Sequence, residues 1–362
     1  MKILLAGGGT AGHIEPALAV ARSLRKLDPS CELLFLGSKE GLETQLIPAA
    51  GFQLFLIPKV RVPRKVTPAL LLAPLQLLQA ISASMKALSG ANVAIGFGGY
   101  ISAPLYIAAK IKKVPFLIHE QNAKPGLANR LGAYLTPHVA LSYRINSGAL
   151  KKGILTGVPL RQDVLIALKE ASQDWQVARK LAKQRVAAKY QIDSELPLVF
   201  IFGGSQGSQA INSVIADSRT ILAQEIFSVI HGIGRNNPLP ARDSSYVALD
   251  YITEMADLYL ASDIVIARSG AVTCAEVAAL ARFALFIPLP IGNGEQALNA
   301  APLVATGRAA LVKQSDFSAT WLEANLSALL EQSRNAPMAG DNKAIDAADR
   351  LASMIEKIGV VR

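Results

Sequence analysis

The sequence has 362 residues, a length that accommodates two domains of ordinary size. Hydrophobic residues make up 51% and charged residues 18%, so the chain can bury a large core, which argues against wholesale disorder. The formal net charge of +10 favours an anionic partner such as a nucleotide diphosphate or an acidic lipid headgroup. The basic residues are spread along the whole chain, and the sequence has no zinc-ligand spacing of the kind found in zinc fingers. We therefore expect no nucleic-acid partner.

The cysteines and the apolar segments indicate the cellular compartment in which the protein resides. Cys31 and Cys274 lie in different halves of the chain, which favours a reducing cytoplasm over a disulfide framework. The sequence starts directly on a strand-like run at residues 2–6, so we expect no secretory signal. The apolar stretch at residues 69–88 contains a proline, glutamines, serines and a lysine, so we expect that it does not span a membrane.

From the N-terminus onward, short apolar runs alternate with segments of helical period. The first helical segment carries apolar residues at spacings of three and four, from Ala17 to Leu27. Continuous apolar runs are typical of parallel strands that are covered on both faces. We predict strands at residues 2–6, 32–36, 93–97, 115–119, 198–202, 228–231, 263–267 and 284–287. The alternation predicts an α/β fold with parallel sheets.

The pattern of strand, glycine loop and helix occurs twice. Residues 2–12 and 198–210 both follow it, whereas a charged helical stretch near residues 173–191 suits neither sheet. Gly157-Val158-Pro159 breaks the pattern between them, so we place a domain boundary after residue 158. Two Rossmann-like domains of this kind would face each other across a cleft, with ligands at the glycine loops beyond the carboxyl ends of the strands.

The first glycine loop is Gly7-Gly8-Gly9-Thr10-Ala11-Gly12, which matches the dinucleotide-binding fingerprint. That fingerprint also needs an acidic residue at the end of the second strand. This chain has Gly37-Ser38-Lys39 there, and Glu40 comes late, so a nicotinamide enzyme is disfavoured. We expect the loop to hold an anionic or sugar-like group with its N–H groups and the following helix N-terminus.

His13 follows this loop directly and is the candidate general base. An imidazole at a helix start can take a proton near neutral pH, and the positive helix end tends to keep it neutral. A histidine that caps the helix or fills a gap is the alternative. His119, His138 and His231 lie at or near strands and are interpreted as structural, and their scattered spacing predicts no metal site.

The second half carries candidate contacts to a nucleotide. Ser205, in Gly203-Gly204-Ser205-Gln206-Gly207, is expected to cap the next helix and to present N–H groups to a phosphate. Farther along, Arg268 can pair with a phosphate, and Glu276 can accept both hydroxyls of a ribose. An ordinary turn, a surface arginine and a helix-dipole glutamate are the alternatives, and Cys274 is interpreted as buried filler.

The sequence contains no Asp-x-Asp pair that could clamp a metal on a diphosphate. We therefore predict a reaction without a metal or other cofactor, in which helix N-termini and Arg161 or Arg268 stabilise the departing diphosphate.

Eight motifs, in order along nearly the whole chain, resemble those of the peptidoglycan N-acetylglucosaminyltransferases. Each string alone is weak, and the ordered set is specific. The strings are Gly8-Gly9-Thr10-Ala11-Gly12-His13, Gly96-Phe97-Gly98-Gly99-Tyr100, His119-Glu120-Gln121-Asn122, Gly157-Val158-Pro159-Leu160-Arg161, Gly203-Gly204-Ser205-Gln206-Gly207, Tyr251-Ile252 with Met255, Arg268-Ser269-Gly270-Ala271, and Glu295-Gln296 with Asn299-Ala300. The chain departs from the family pattern at Ala11, Val158 and Glu295.

The resemblance implies the GT-B architecture, with an N-terminal domain at residues 1–158, a UDP-sugar domain at 159–338 and a C-terminal helix, within 339–362, that returns to the first domain. It implies inverting transfer of N-acetylglucosamine from UDP-N-acetylglucosamine to the 4-hydroxyl of undecaprenyl-diphospho-N-acetylmuramoyl-pentapeptide, with His13 as base. It also implies a peripheral protein at the cytoplasmic face of the cell membrane, with cell-wall or division proteins as further partners.

The resemblance also assigns binding residues. Ile252 would meet uracil through its backbone, Glu276 would hold the ribose, and Gln296 would reach the sugar. Other donor contacts would come from Thr10, Ala11, Gly12, Asn122, Arg161, Ser205, Arg268, Ala271, Val272, Thr273, Cys274 and Ala275. The acceptor diphosphate would lie near Gly99, Tyr100, Glu120 and Asn129.

A leucine-rich segment predicts how the first domain meets a membrane. Leu70 and Leu77, with the basic cluster Arg61, Arg64 and Lys65, are hypothesised to dock on an anionic bilayer. A helix that is buried on most sides is the alternative. Four residues that share one face are predicted to pack into the core: Leu71, Leu75, Leu78 and Met85.

Two other functions stay open at the level of sequence. One is another UDP-sugar enzyme of the same architecture, such as a lipid galactosyltransferase or a UDP-N-acetylglucosamine epimerase. The other is a non-catalytic nucleotide sensor or scaffold at the division site. His13, Glu276 and Gln296 argue against the second, because a scaffold needs none of them.

Overall fold

The computed structural model describes residues 1–60, 73–223, 227–235, 237–291 and 293–360. The chain divides into two compact units: residues Met1–Arg161 with Ala344–Arg362 form the first, and Gln162–Lys343 form the second. Each unit contains one sheet in which the paired strands are parallel. The prediction of two Rossmann-like α/β domains is therefore confirmed.

The first unit is built on a seven-stranded sheet with the order β3-β2-β1-β4-β5-β6-β7. Its strands are β1 Lys2–Ala6, β2 Glu32–Gly37, β3 Gln53–Leu56, β4 Val93–Gly96, β5 Phe116–Glu120, β6 Val139–Leu141 and β7 Ile154–Leu155. Its first helices are α1 Ala11–Leu27, α2 Glu43–Ala49, α3 Ala73–Ala87, α4 Ser102–Lys112 and α5 Leu127–Leu135.

The second unit is built on a six-stranded sheet with the order β10-β9-β8-β11-β12-β13. Its strands are β8 Leu198–Phe202, β9 Ser228–Gly232, β10 Tyr246–Leu249, β11 Ile264–Ala267, β12 Ala284–Phe286 and β13 Ala309–Leu311. Its helices are α6 Gln162–Ala171, α7 Trp175–Tyr190, α8 Gln209–Asp217, α9 Arg219–Ala223, α10 Met255–Ala261, α11 Ala271–Ala279, α12 Glu295–Ala305 and α13 Ala319–Asn335.

The last helix, α14 Ala347–Val360, belongs to the first unit. It packs on α1, and its apolar residues Leu351 and Ile355 are fully buried in the same core cluster as Ile14 and Val20. Burial of this amphipathic face, rather than helix propensity, is what stabilises a helix at the end of a chain.

Both sheets reverse their strand order at one point. In the first unit the switch lies between β1 and β4, and in the second it lies between β8 and β11. Apart from the half-buried Lys2 at the start of β1, the central strands are continuously buried, as the apolar runs predict. At such a switch point the loops that follow neighbouring strands diverge and leave a crevice for ligands. All four loops at the two switch points carry glycines from the motifs identified in the sequence.

The surface of α3 differs from the prediction. Leu75 and Leu78 are 55% and 64% exposed, so the expectation that they pack into the core was wrong. The buried face of α3 is instead a stripe of small residues, Ala80, Ser84 and Ala87, which allows α4 to pack closely. Leu77 and Met85 are half-buried. The remaining residues of that hypothesis lie outside the described residues: Arg61, Arg64, Lys65, Leu70 and Leu71.

Within the described ranges, none of the helices combines the length and the apolar character that crossing a membrane would require.

Candidate active site

The two loops at the switch point of the first unit bring the N-terminal motifs together. The loop after β1 leads through Gly9 to Thr10, which adopts an extended backbone and forms the N-cap of α1. The loop after β4 contains Gly98 and Gly99, both in the left-handed region with φ of 89° and 77°. Because β1 and β4 are paired neighbours, their loops emerge side by side.

His13 lies between these loops. Its Nδ1 is 3.2 Å from Oγ1 of Thr10. A Cβ added to Gly98 would lie 3.5 Å from its Nε2, so the imidazole rests directly against the second glycine loop. Burial lowers the pKa of His13 from 6.5 to about 4, so the ring is neutral at pH 7 and one nitrogen lone pair can accept a proton. His13 therefore presents an unprotonated ring nitrogen at the switch point of the first unit.

Tyr100 follows the second glycine loop and covers the first. A Cβ added to Gly9, which has a φ of 94°, would lie 2.9 Å from the Tyr100 ring. The Tyr100 hydroxyl lies 2.8 Å from the Ser38 hydroxyl, and burial raises the pKa of Tyr100. The aromatic ring therefore covers one side of the first glycine loop.

Glu120 and its partners form a hydrogen-bonded cluster at the end of β5, the strand next to β4. Glu120 is buried at the end of β5, and its Oε1 accepts hydrogen bonds from the backbone and side-chain amides of Asn122 at 2.9 and 3.1 Å. Its Oε2 accepts from the Gly126 N–H and from Asn129 Nδ2, both at 3.0 Å. Burial raises the pKa of Glu120. Asn129 is itself buried and accepts a 2.7 Å hydrogen bond from the Tyr106 hydroxyl. These contacts shape the loop that presents Asn122.

The second unit repeats this arrangement after β8. Gly204 and Gly207 have φ of 101° and 75°, and the Gly207 N–H donates to the Gly204 carbonyl, which closes an additional turn before α8. The helix therefore starts later than expected, and Ser208 is its N-cap, accepting from the Ile211 N–H at 3.4 Å. The prediction that Ser205 caps the helix was wrong. Ser205 lies half-buried in the turn itself.

Arg268, at the end of β11, joins the loops of this unit. Its guanidinium donates to the Ile287 carbonyl at 2.9 Å, to the Ser208 hydroxyl at 2.7 Å and to Oε1 of Gln314 at 2.6 Å. These acceptors follow three other strands of the same sheet, and burial lowers the pKa of Arg268. In this structure Arg268 fixes the positions of the loops around the switch point.

Helix α11 presents a run of small residues at its N-terminus. Ala271, Val272 and Cys274 are buried, and Thr273 and Ala275 are half-buried. Glu276 is completely buried, and its Oε2 accepts a 3.0 Å hydrogen bond from the Tyr259 hydroxyl. Burial raises the pKa of the Cys274 thiol, in keeping with a role as filler.

Three further expected contacts lie on other segments. The Ile252 side chain packs on Gly232, where an added Cβ would be 2.3 Å from Ile252 Cδ1, so the 250–253 turn covers the end of β9. Gln296, in the first turn of α12, accepts from the Leu289 N–H at 3.0 Å, which orients its amide. Arg161 lies half-buried at the last position of the first unit before α6.

His119 and His231 are buried and hydrogen-bonded inside strands. His119 lies fully buried in β5, 3.0 Å from the Gly157 carbonyl and 3.2 Å from the Ser142 hydroxyl. His231 lies buried in β9 between Tyr246 and Asn212. Burial lowers the pKa of both side chains to about 4. Among the described residues, no group of three or more histidine, cysteine, aspartate and glutamate side chains is placed to hold a metal ion.

Sequence reasoning missed two buried residues at these sites. Glu43 accepts a hydrogen bond from the Gly9 N–H, and Ser269 is completely buried beside Arg268 in the chain. In the sequence, Glu43 is preceded by Gly37 and Gly41, and the closeness of these two glycines is the one feature that could have indicated its importance. For Ser269, the only indication in the sequence is its place in the motif Arg268-Ser269-Gly270-Ala271.

Both units match models of known domains. The N-terminal domain of glycosyltransferase family 28 matches residues 3–140, and the C-terminal domain of that family matches residues 198–354.

Similar proteins extend this finding. The UDP-N-acetylglucosamine–N-acetylmuramyl-(pentapeptide) pyrophosphoryl-undecaprenol N-acetylglucosamine transferase of Thermobifida fusca is 43% identical over 91% of this chain and 86% of its own length. The crystal structure of MurG from Acinetobacter baumannii has a TM-score of 0.69 and 25% identity, covering 98% of this chain and 99% of that one. A UDP-GlcNAc 2-epimerase from Neisseria meningitidis has the same TM-score at 16% identity, covering 99% of this chain and 100% of its own, a likeness of fold alone.

Proposed function

This chain belongs to glycosyltransferase family 28, and we propose that it transfers N-acetylglucosamine from UDP-N-acetylglucosamine to the 4-hydroxyl of undecaprenyl-diphospho-N-acetylmuramoyl-pentapeptide. The observation that carries the proposal is the likeness, over nearly the whole chain, to transferases named for this reaction. The two glycine-loop pockets support it, since one holds a neutral histidine and the other lies at the start of α11, near a buried carboxylate.

The proposed chemistry is a single inverting displacement. The acceptor hydroxyl oxygen attacks the anomeric carbon, the bond from that carbon to the diphosphate breaks, and UDP leaves with the bonding electron pair. Nε2 of His13 takes the hydroxyl proton, and the Thr10 hydroxyl at Nδ1 fixes the orientation of the ring. Because burial keeps the imidazole neutral, it is ready to accept this proton at physiological pH.

The donor is proposed to bind the second unit. Glu276 would accept hydrogen bonds from the ribose, the Ile252 backbone would meet uracil, and Gln296 would reach the sugar. The α8 and α11 N-termini lie at the switch point, so their N–H groups would stabilise the diphosphate as its charge develops. Arg268 would act by holding these loops in place, since its guanidinium already donates to internal acceptors.

The test is acceptor-dependent release of UDP. Purified protein is mixed with UDP-N-acetylglucosamine, with and without a short-chain analogue of the muramoyl lipid, and UDP is measured by a coupled assay. We expect UDP to be released only when both substrates are present. An epimerase would instead convert the donor sugar without an acceptor, and that result would overturn the transferase assignment.

We further propose that the first unit docks on the cytoplasmic face of the membrane. Helices α3, α4 and α5 lie side by side over one core cluster, and they expose large apolar side chains. On α5 alone, Leu127 is 80% exposed, Leu131 44% and Tyr134 77%. Arg130 and the α4 lysines are exposed beside them, so the surface combines apolar and cationic groups as reversible attachment to anionic lipid requires.

Co-sedimentation with liposomes of phosphatidylglycerol and phosphatidylethanolamine tests the docking surface. Replacing Leu127 and Leu131 by Ser is expected to lower recovery with the liposomes severalfold at low salt, because two apolar contacts are lost. The matched control is Leu239→Ser, which removes an equally large leucine, 57% exposed, from the second unit. Equal recovery of all three proteins would refute docking through this surface.

A further inference from the structure

A buried carboxylate lies beneath the glycine loop that carries His13. Glu43 is the first residue of α2, and its side chain is completely inaccessible to solvent. Glycines make room for it. A Cβ added to Gly41 would lie 1.9 Å from Oε2, one added to Gly37 would lie 2.5 Å from Cγ, and one added to Gly8 would lie 3.1 Å from Oε1. The local chain is thus shaped around this acid.

Within the part of the chain that the structure describes, the hydrogen-bond partners of the Glu43 carboxylate are all donors. Oε2 accepts from the Gly9 N–H at 3.0 Å, and Oε1 accepts from the N–H and the hydroxyl of Ser38 at 2.9 and 3.0 Å. Because Ser38 gives its single hydroxyl proton to Glu43, the Tyr100 hydroxyl donates to Ser38 Oγ at 2.8 Å, and it also lies within donating distance of Oε1 of Glu43 itself, at 3.4 Å. A buried acid is tolerated only when hydrogen bonds replace its lost water, and these contacts do so.

These contacts join the two loops that hold His13. Gly9 precedes Thr10, the residue whose hydroxyl meets His13 Nδ1, and its backbone is in the left-handed region. Tyr100 follows Gly98 and Gly99, against which the imidazole rests. Glu43 therefore tethers the first loop through the Gly9 N–H and the second loop through Tyr100, which it meets by way of Ser38 and directly at 3.4 Å.

We propose that Glu43 is a positioning residue for the transfer reaction, which fixes the first glycine loop so that His13 meets the acceptor hydroxyl at a productive angle. The proposal rests on the proposed function of His13. General-base catalysis depends on hydrogen-bond distance to the reacting proton, so a loop that moves by about 1 Å lowers the rate without removing the base.

Glu43→Gln separates the two ends of the tether. The amide oxygen can keep the Oε1 position, where it still accepts from the N–H and hydroxyl of Ser38. The amide NH2 then replaces Oε2 and faces the Gly9 N–H. Because both groups are donors, the hydrogen bond to Gly9 is lost. The variant is therefore expected to release the first glycine loop and to retain the contacts of the β2–α2 turn.

The expected result is a fall in kcat of about ten- to a hundredfold, the size that follows from losing a hydrogen bond to a buried carboxylate. The KM for UDP-N-acetylglucosamine should rise by a smaller factor than kcat falls, because the proposed uracil and ribose contacts lie in the other unit and only the sugar contacts at residues 10–12 lie in the released loop. The matched control is Glu40→Gln, three residues earlier, where a 50% exposed side chain pairs with Lys59 at 3.0 Å. This variant should keep wild-type kcat.

Hydrogen exchange supplies a readout that does not need activity. Amides in residues 7–12 should exchange faster in Glu43→Gln than in the wild type or Glu40→Gln, while amides of β8 should not change. Unchanged exchange in residues 7–12 would overturn the tether, and faster exchange with an unchanged kcat would overturn its role in catalysis.

Two further outcomes are covered by additional measurements: an unstable Glu43→Gln variant and an inactive wild type. If Glu43→Gln melts at a much lower temperature, Ser38→Ala takes its place. It removes the link through the Ser38 hydroxyl but leaves both backbone contacts to Glu43 and the direct 3.4 Å contact from Tyr100, so a smaller fall in kcat is expected, and no fall would count against the proposal. If the wild type transfers no sugar to any acceptor, the proposed function fails, whereas hydrogen exchange still decides whether Glu43 tethers the loop.

Discussion

The protonation of His13 gives the sharpest prediction for activity. A histidine with a pKa of about 4 is about 99% neutral at pH 6, whereas one with the ordinary pKa of 6.5 is only about 24% neutral. Because the base must be neutral to accept the proton, kcat/KM should be nearly constant from pH 8 to pH 6 and fall only as the pH approaches 4. Replacing His13 by Ala should lower kcat by about a hundred- to ten-thousandfold at every pH in this range.

The assay is acceptor-dependent UDP release at limiting acceptor, measured from pH 5 to pH 8.5. His138→Ala is the control, since that half-buried histidine lies outside the glycine loops and should keep the wild-type profile. A wild-type kcat/KM at pH 6 near a quarter of its plateau would refute the perturbed pKa. A His13→Ala variant within about threefold of wild type would refute the role of His13 as base.

Two more predictions concern the second unit. Glu276→Gln should raise the KM for UDP-N-acetylglucosamine by about ten- to a hundredfold with little change in kcat, because a neutral amide accepts hydrogen bonds from the ribose less strongly. Tyr259→Phe, which removes the internal hydrogen bond to Glu276, is the control, and an equal effect on KM in both variants would point to a structural role. Burial of His231 makes the second unit sensitive to acid, since its pKa of about 4 lies below the unfolded value near 6.5. The unfolded state binds this proton first as the pH falls, so between pH 7 and pH 5.5 the free energy of unfolding should drop by about 1 kcal/mol more in the wild type than in His231→Gln, as measured by urea titration.

The sequence predicted the centre of each domain well for a physical reason. The central strands β1, β4, β8 and β11 are covered on both faces, so burial requires continuous apolar runs that are visible in the sequence. The glycine loops after β1 and β8 were equally visible, because the left-handed backbone at Gly9 and Gly204 strongly favours glycine.

The edges of the sheets were not predicted. Strand β3 at Gln53–Leu56 has half-buried and exposed residues, and β7 at Ile154–Leu155 has only exposed ones, so neither shows a continuous apolar run. Strands at edges are short and take their stability from a single neighbour, which weakens their local signal. Their pairing depends on tertiary contacts that no window of sequence contains.

Within the site, the sequence identified positions better than contacts. The motif containing Arg268 was recognised, yet its guanidinium is occupied by Ser208, Gln314 and the Ile287 carbonyl, which lie far away in the chain. Glu43 was missed because a single glutamate at a helix start resembles an ordinary surface charge. Only the fold shows that it is buried against the Gly9 N–H.

In the proposed reaction, this protein makes one new glycosidic bond with inversion at the anomeric carbon. The direct measurement is mass spectrometry and NMR of the product formed from UDP-N-acetylglucosamine and the short-chain muramoyl lipid. The expected product is an acceptor that is heavier by one N-acetylglucosamine residue, joined β1→4 to the muramoyl sugar. An α-linked product, or a modified donor with an unchanged acceptor, would contradict it.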